Sequence, residues 1–106
     1  MIDVEGFYRQ LGSEQPVGPD EQLVLPGEIR VVGTPDAWTA IFDAVSPSED
    51  KLDALFDISR TEGALVPFTT RSGAIAVRGL CPHLGDETAD AVTRLRAVIR
   101  HLGVAA

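Results

Sequence analysis

Short apolar runs of strand length alternate with longer segments of helical periodicity, and this alternation limits the fold more than any other feature of the sequence. The strand-like runs are residues 23–25, 29–32, 64–69 and 74–78, and helical patterns surround them. The predicted order is α-ββ-αα-ββ-α. We therefore expect an α+β domain in which a small antiparallel sheet, built from two hairpins, is covered by helices.

The N-terminal segment has one apolar helical face, formed by Val4, Phe7, Tyr8 and Leu11. Gly12 follows it and is typical of a helix C-terminus. Residues 12–22 then form a polar loop rich in proline and glycine. A chain of 106 residues is long enough to bury one core, so we expect a single domain over 1–106.

The middle of the chain carries two helix-start signals. Thr34-Pro35-Asp36 offers a capping hydroxyl, a proline at the first helical position and an acid in the first turn. The helix predicted after it shares one apolar face, made by Trp38, Ile41, Phe42 and Val45. Ser46-Pro47-Ser48-Glu49 has the spacing of a capping box and predicts a second helix. The expected buried stripe of that helix is Leu52, Leu55 and Phe56.

Both predicted hairpins are marked by their turns. Pro26-Gly27 lies between the first two runs and suits the centre of a type II turn, although one broken strand is the alternative. Arg71-Ser72-Gly73 lies between the second two. Because Pro67 has no N–H to donate, its strand is expected at a sheet edge or at a bulge.

The last helix is predicted over residues 86–102. Val92, Leu95 and Ile99, with Leu102, fall at heptad positions that suit a two-stranded coiled coil. Two hypotheses follow for these side chains. They form the intramolecular core, or they form a partner-binding face through which the C-terminal helix makes a homodimer.

The charge is strongly negative, with 16 acids against nine basic residues and a net charge of −7. Such a surface repels phosphate, so nucleic-acid binding is disfavoured. Asp50, Asp53 and Asp57 lie at helical spacing and are expected on one exposed face. That face is either simply solvated or a contact surface for a basic protein partner.

A winged helix-turn-helix is the alternative fold, because it also orders helices before a hairpin. In that interpretation residues 52–60 form the recognition helix, and residues 71–73 form the tip of the wing. The acids Asp53 and Asp57 on that helix would face phosphates, which weakens the interpretation.

Reactive side chains converge at residues 80–86, which hold the single cysteine, Cys81, and His83. The segment from Cys81 to Gly85 resembles the first ligand box of Rieske iron–sulfur proteins. The resemblance implies a second Cys-x-x-His box, and the chain has no second cysteine, so it cannot build that cluster alone. A zinc ion would find only Cys81, His83 and Asp86. We expect no metal and no cofactor.

Cys81 and His83 are also the only catalytic candidates, and both are weak. In an extended segment, side chains two residues apart point the same way, so His83 could act as the base for a thiol nucleophile. His101 is a second candidate base. The competing hypothesis is a buried structural cysteine without reactivity.

The function predicted from these patterns is a small acidic protein-interaction module, regulatory, accessory or inhibitor-like, and not an enzyme. The single cysteine, the absence of an apolar run near ~20 residues and the acidic N-terminus indicate the cytoplasm and no membrane. One alternative is a small ligand-binding domain or thiol-dependent enzyme at Cys81 and His83. The other is a winged-helix transcription regulator.

Overall fold

The computed structural model describes residues 1–14, 21–62, 64–81 and 85–103. Its helices are α1 (Val4–Gln10), α2 (Glu49–Glu62) and α3 (Thr88–His101). Its strands are β1 (Leu23–Leu25), β2 (Ile29–Gly33), β3 (Ala37–Phe42), β4 (Leu65–Thr69) and β5 (Ile75–Leu80). The predicted α+β class, with a small antiparallel sheet covered by helices, is confirmed. Residues 15–20, the centre of the predicted Pro/Gly loop, lie outside the described residues.

All strands belong to one antiparallel sheet with the order β1-β2-β3-β5-β4. The helices pack on one face of this sheet, with α3 in contact with both α1 and α2. The core lies between the two layers. Its largest fully buried side chains are Trp38, Tyr8, Phe7, Phe42, Ile29, Leu55, Ile75 and Leu95.

The helix predicted from Thr34 to Val45 was wrong, because this segment forms a turn followed by strand β3. The Thr34 hydroxyl accepts the backbone N–H of Ala37 at 3.1 Å, which is the contact that caps a helix. The N–H of Thr34, however, donates to the Ala37 carbonyl at 2.7 Å and closes a hairpin. The hydroxyl and proline that can start a helix are equally suited to a turn, and here they stabilise one.

Tertiary pairing explains why β3 prevails over the helix signal. The strand occupies the centre of the sheet, and its partners on both sides satisfy its backbone. Trp38, Ala40 and Phe42 alternate toward the core, while Thr39 and Ile41 lie on the other face. Trp38 and Phe42 are four residues apart, a spacing that fits a strand face as well as a helix face. The described residues thus contain one helix fewer than predicted, and β3 joins the two predicted hairpins.

The hairpin before β3 and the helix after it were predicted more accurately. Leu23–Leu25 and Ile29–Gly33 form the expected hairpin, with Gly27 and Glu28 at φ values of 87° and 59° in its turn. Helix α2 begins at Glu49, and its cap is Ser48, whose hydroxyl accepts the N–H of Lys51 at 3.2 Å. The predicted capping residue was Ser46.

Strand β4 forms one edge of the sheet, as Pro67 led us to expect. The N–H of Thr70 donates to Ala74 and that of Leu80 donates to Ala64, so the even residues of β4 make the ladder with β5. The odd residues direct their backbone groups to the outer edge. Because Pro67 is one of them, its missing N–H falls on the free edge.

Candidate functional site

Cys81 lies directly after β5 and belongs to the hydrophobic core. It is 5% exposed, and its N–H donates to the Asp36 carbonyl at 2.8 Å. His83, the other weak catalytic candidate, lies outside the described residues. The position of Cys81 supports the structural hypothesis for this residue.

The electrostatics of Cys81 agree with that hypothesis. Burial raises the pKa of the thiol, and the Glu87 and Asp90 carboxylates raise it further, whereas Arg94 opposes them. A nucleophilic cysteine needs a lowered pKa. His101 is no base for this thiol, because it ends the 14-residue helix that begins near Cys81, about 20 Å away at ~1.5 Å per residue.

Of the three proposed zinc ligands, Cys81 and Asp86 are described, and His83 lies outside the described residues. No group of three His, Cys, Asp or Glu side chains converges within the described part of the chain. Asp86 instead accepts the N–H of Thr88 at 3.0 Å, and hydrogen bonding to Thr88 lowers the pKa of its carboxyl group. This carboxylate therefore orders the chain just before α3.

Val92, Leu95 and Ile99, predicted as a partner-binding face, are buried against the sheet. Of the two hypotheses for these side chains, the intramolecular core is the one that the structure has. The wide apolar stripe of α3, which includes Ala91 and Val98, covers the sheet and packs between the other two helices. A dimer seam through the same side chains would require α3 to leave the core.

Asp50, Asp53 and Asp57 are exposed on α2, as predicted, and Asp57 pairs with Arg60. Phe56, which was expected in the buried stripe, is 53% exposed instead. Leu55 and Ile58 point to the core, so Phe56, one residue after Leu55, falls on the flank of the helix.

The side of α2 that faces α3 is marked by a shallow groove of about 300 Å³. It is lined by Ile58, Thr61, Ala97, Arg100 and His101. Phe56 does not line this groove and lies on the opposite flank, away from α3. Together with Asp50, Asp53 and Asp57 it forms a surface that we call the acidic face of α2.

A second surface is the side of the sheet opposite the helices, which we call the open sheet face. Strand alternation and register place its members on one side: Val24, Arg30, Val32, Ala37, Thr39, Ile41, Val66, Phe68, Ala76, Arg78 and Leu80. No described helix covers it. Its large exposed apolar side chains are Val24, Val66, Phe68 and Leu80, which are 62%, 46%, 40% and 39% exposed.

The open sheet face carries two arginines in different states. Arg30 makes two hydrogen bonds to the Asp43 carboxylate, at 2.5 and 3.0 Å, and these hold the pKa of Asp43 below its usual range. Arg78 has neither a hydrogen bond nor an ion pair with any residue that the structure describes. It stands across from Val66 on one side and Thr39 on the other.

A groove of about 550 Å³ lies beside the N-terminus of α2 and is lined mainly by small residues with Lys51. The Lys51 ammonium donates to the Leu102 carbonyl at 2.6 Å and so ties α2 to the end of α3. Because the Lys51 ammonium is already engaged in this hydrogen bond, we assign no binding or catalytic chemistry to this groove.

Sequence reasoning missed the open sheet face and the exposure of Phe56. One signal was present: residues 64–69 are almost all apolar and do not alternate with polar residues. Such strands usually have both faces covered, and three helices cover only one. Comparison with known proteins adds nothing, because no protein-family model, curated protein or solved structure matches this chain. Within the described ranges, no helix is both long and apolar enough to cross a membrane.

Proposed function

We propose that this chain is a small, non-catalytic protein-interaction module of the cytoplasm that binds a basic protein partner through the acidic face of α2. The observation that carries the proposal is that the exposed ring of Phe56 lies on the same helix as the exposed acids Asp50, Asp53 and Asp57, with Asp53 three residues before the ring. A regulatory, accessory or inhibitory role fits this chemistry.

Helix geometry links these side chains through Asp53. Asp53 lies three residues before Phe56 and is its neighbour on the helix surface, whereas Asp57, four residues beyond Asp53, is a neighbour of Asp53 and pairs with Arg60. Carboxylates accelerate encounter with a basic partner, and an aromatic ring gains most from desolvation once the complex forms. An exposed aromatic ring together with exposed acids is therefore more typical of a contact surface than of a helix face that only meets solvent.

Charge reversal tests the proposal. The variant Asp50→Lys, Asp53→Lys, Asp57→Lys is used as bait in extracts of the source cell, beside the unaltered chain. A matched control, Glu14→Lys, Glu21→Lys, Glu28→Lys, changes the net charge equally at exposed positions elsewhere. We expect the first variant, and also Phe56→Ser, to lose the basic partner that the control retains. Equal capture by all of them would refute the acidic face as the contact surface.

The alternatives have less support from the described residues. A thiol-dependent enzyme or a ligand-binding domain at Cys81 needs an accessible sulfur, and Cys81 is buried with a raised pKa. A winged-helix regulator would insert α2 into DNA, where its acids oppose the phosphates. A homodimer through α3 would compete with the core packing of Leu95.

A further inference from the structure

We propose that the open sheet face is a second docking surface, and that it receives an amphipathic helix of a partner protein carrying an Asp or Glu among its apolar residues. This surface is separate from the acidic face of α2, and the function proposed above does not use it.

Three exposed apolar side chains surround Arg78 on this face. Val66 is its direct cross-strand partner, and Leu80 lies two residues further along β5 on the same side. Phe68 pairs with Ala76, two residues before Arg78. Cross-strand and diagonal neighbours on one face lie within side-chain reach of one another. The guanidinium therefore projects from an apolar surface that the described residues leave uncovered.

The charge of the occupant follows from Arg78. An apolar partner that covered this face would bury the guanidinium without a counter-charge, which is costly. A carboxylate removes that penalty, and the planar guanidinium can bind it with two parallel hydrogen bonds. Across the described chain, Arg9, Arg30, Arg60 and Arg94 pair with acids of this protein. Arg78 does not, and among the other arginines without an ion pair, Arg71, Arg96 and Arg100, none lies on the open sheet face.

The shape of the occupant follows from the sheet. An extended peptide would add to a free edge, but β4 lacks a donor at Pro67 and β1 has only three residues. The remaining possibility is a partner that docks onto the open sheet face. Helices pack well on an apolar sheet face, as the helices on the other side of this same sheet do.

The test is a selection of peptides on the immobilised full chain. The library contains synthetic amphipathic helices with a fixed apolar stripe, in which one position within the stripe varies among Asp, Glu, Lys, Gln and Ser. We expect Asp and Glu to be enriched there. Arg78→Glu should weaken the selected peptides at least tenfold, and a Glu→Lys peptide should recover binding to that variant.

Two matched variants complete the design. Arg71→Glu makes the same charge change in the exposed turn after β4 and should bind as the unaltered chain does. Phe68→Ser should weaken binding, while the Asp50, Asp53, Asp57 reversal should not, which separates this surface from the proposed function. Circular dichroism confirms that each variant folds. No enrichment of acids, or equal binding by Arg78→Glu and Arg71→Glu, would overturn the proposal. Self-association abolished by Phe68→Ser would also overturn it, since a second copy would then cover the face.

Discussion

The indole ring of Trp38 packs against the α-carbon of Gly79, its register partner on β5. A β-carbon at position 79 would overlap the ring, coming within 2.5 Å of its Cζ2 atom. Gly33, the partner of Trp38 on β2, is covered in a similar way by Phe7. Glycines on both neighbouring strands thus make room for aromatic rings in the centre of the core.

Replacing Gly79 with alanine should therefore destabilise the fold. We expect the free energy of unfolding to fall by roughly 3 kcal/mol, at the upper end for overpacking, because the added methyl group meets a fully buried ring. Urea unfolding followed by far-UV circular dichroism measures this change, a probe that also serves the Trp38 variants, which lack the single tryptophan of the chain.

Gly85→Ala is the control, because a β-carbon there meets no atom within 4 Å. It should change stability by less than about 0.5 kcal/mol. Trp38→Phe removes part of the obstruction, so the Trp38→Phe, Gly79→Ala double variant should lose less stability than the sum of the single variants. Simple additivity would contradict the packing described for this pair.

The Tyr8→Phe variant should leave the backbone N–H of Gly33, at the end of β2, without a hydrogen-bond acceptor. The amide of Gly33 lies beyond β1, whose first residue pairs with Val31, and it donates instead to the Tyr8 hydroxyl at 2.7 Å in a buried position. Removing that hydroxyl leaves the amide without an acceptor, at a cost of about 1–3 kcal/mol. Hydrogen exchange of the Gly33 amide should accelerate together with the loss of stability. An unchanged exchange rate would show that another acceptor replaces the hydroxyl.

The thiol of Cys81 should make the protein less stable at alkaline pH. Because burial raises its pKa in the folded state, the unfolded chain loses this proton first, and the contribution to stability declines as pH rises above about 8.5, the unfolded value. Below that pH the contribution is complete. Urea unfolding at pH 7.5 and 9.5 should show a smaller decline for Cys81→Ala than for the unaltered chain.

Alkylation of Cys81 provides a kinetic check. The native thiol should react with iodoacetamide much more slowly than the urea-unfolded thiol at the same pH, because it is both buried and protonated. Rapid native alkylation would instead favour the reactive-thiol alternative.

Asp43 should titrate at unusually low pH. Its hydrogen bonds from Arg30 stabilise the carboxylate, so its pKa lies below the ordinary value of about 3.9. The stability that the pair contributes is therefore present above that value and is lost as pH falls through the native pKa. An NMR titration should show the Asp43 pKa returning toward its ordinary value in Arg30→Gln.

The sequence was sufficient for the elements whose periodicity is unambiguous. The stripe of α3 and the hairpin around Pro26-Gly27 follow from local patterns that the final packing reinforces. Strand β3 did not follow, because the hydrogen bond from the Ala37 N–H to the Thr34 hydroxyl is common to a helix start and to the turn found here. Only the pairing of β3 with strands on both sides decides between them, and that pairing joins residues far apart in the chain.

The candidate surfaces show the same division between local and long-range information. The exposure of Asp53 and Asp57 could be read from helical spacing. The open sheet face could not, because the exposure of Val66 and Phe68 depends on which side of the sheet all three helices choose. Apolar residues of a strand carry no local mark that tells a covered face from an open one.

The contacts between α1 and α3 have a consequence for the order in which the chain folds. The N–H of Asp3 donates to the Thr88 hydroxyl at 2.8 Å, and Arg96 donates to the Gln10 carbonyl at 2.8 Å, across 85 and 86 residues. A seven-residue helix is not stable alone. Phe7 and Tyr8 contact Gly33 at the end of β2, but their full burial must wait until α3 docks on α1. Closing the loop between α1 and α3 is expected to be a late and slow event of folding, and until then part of both aromatic rings stays open to chaperones or to aggregation.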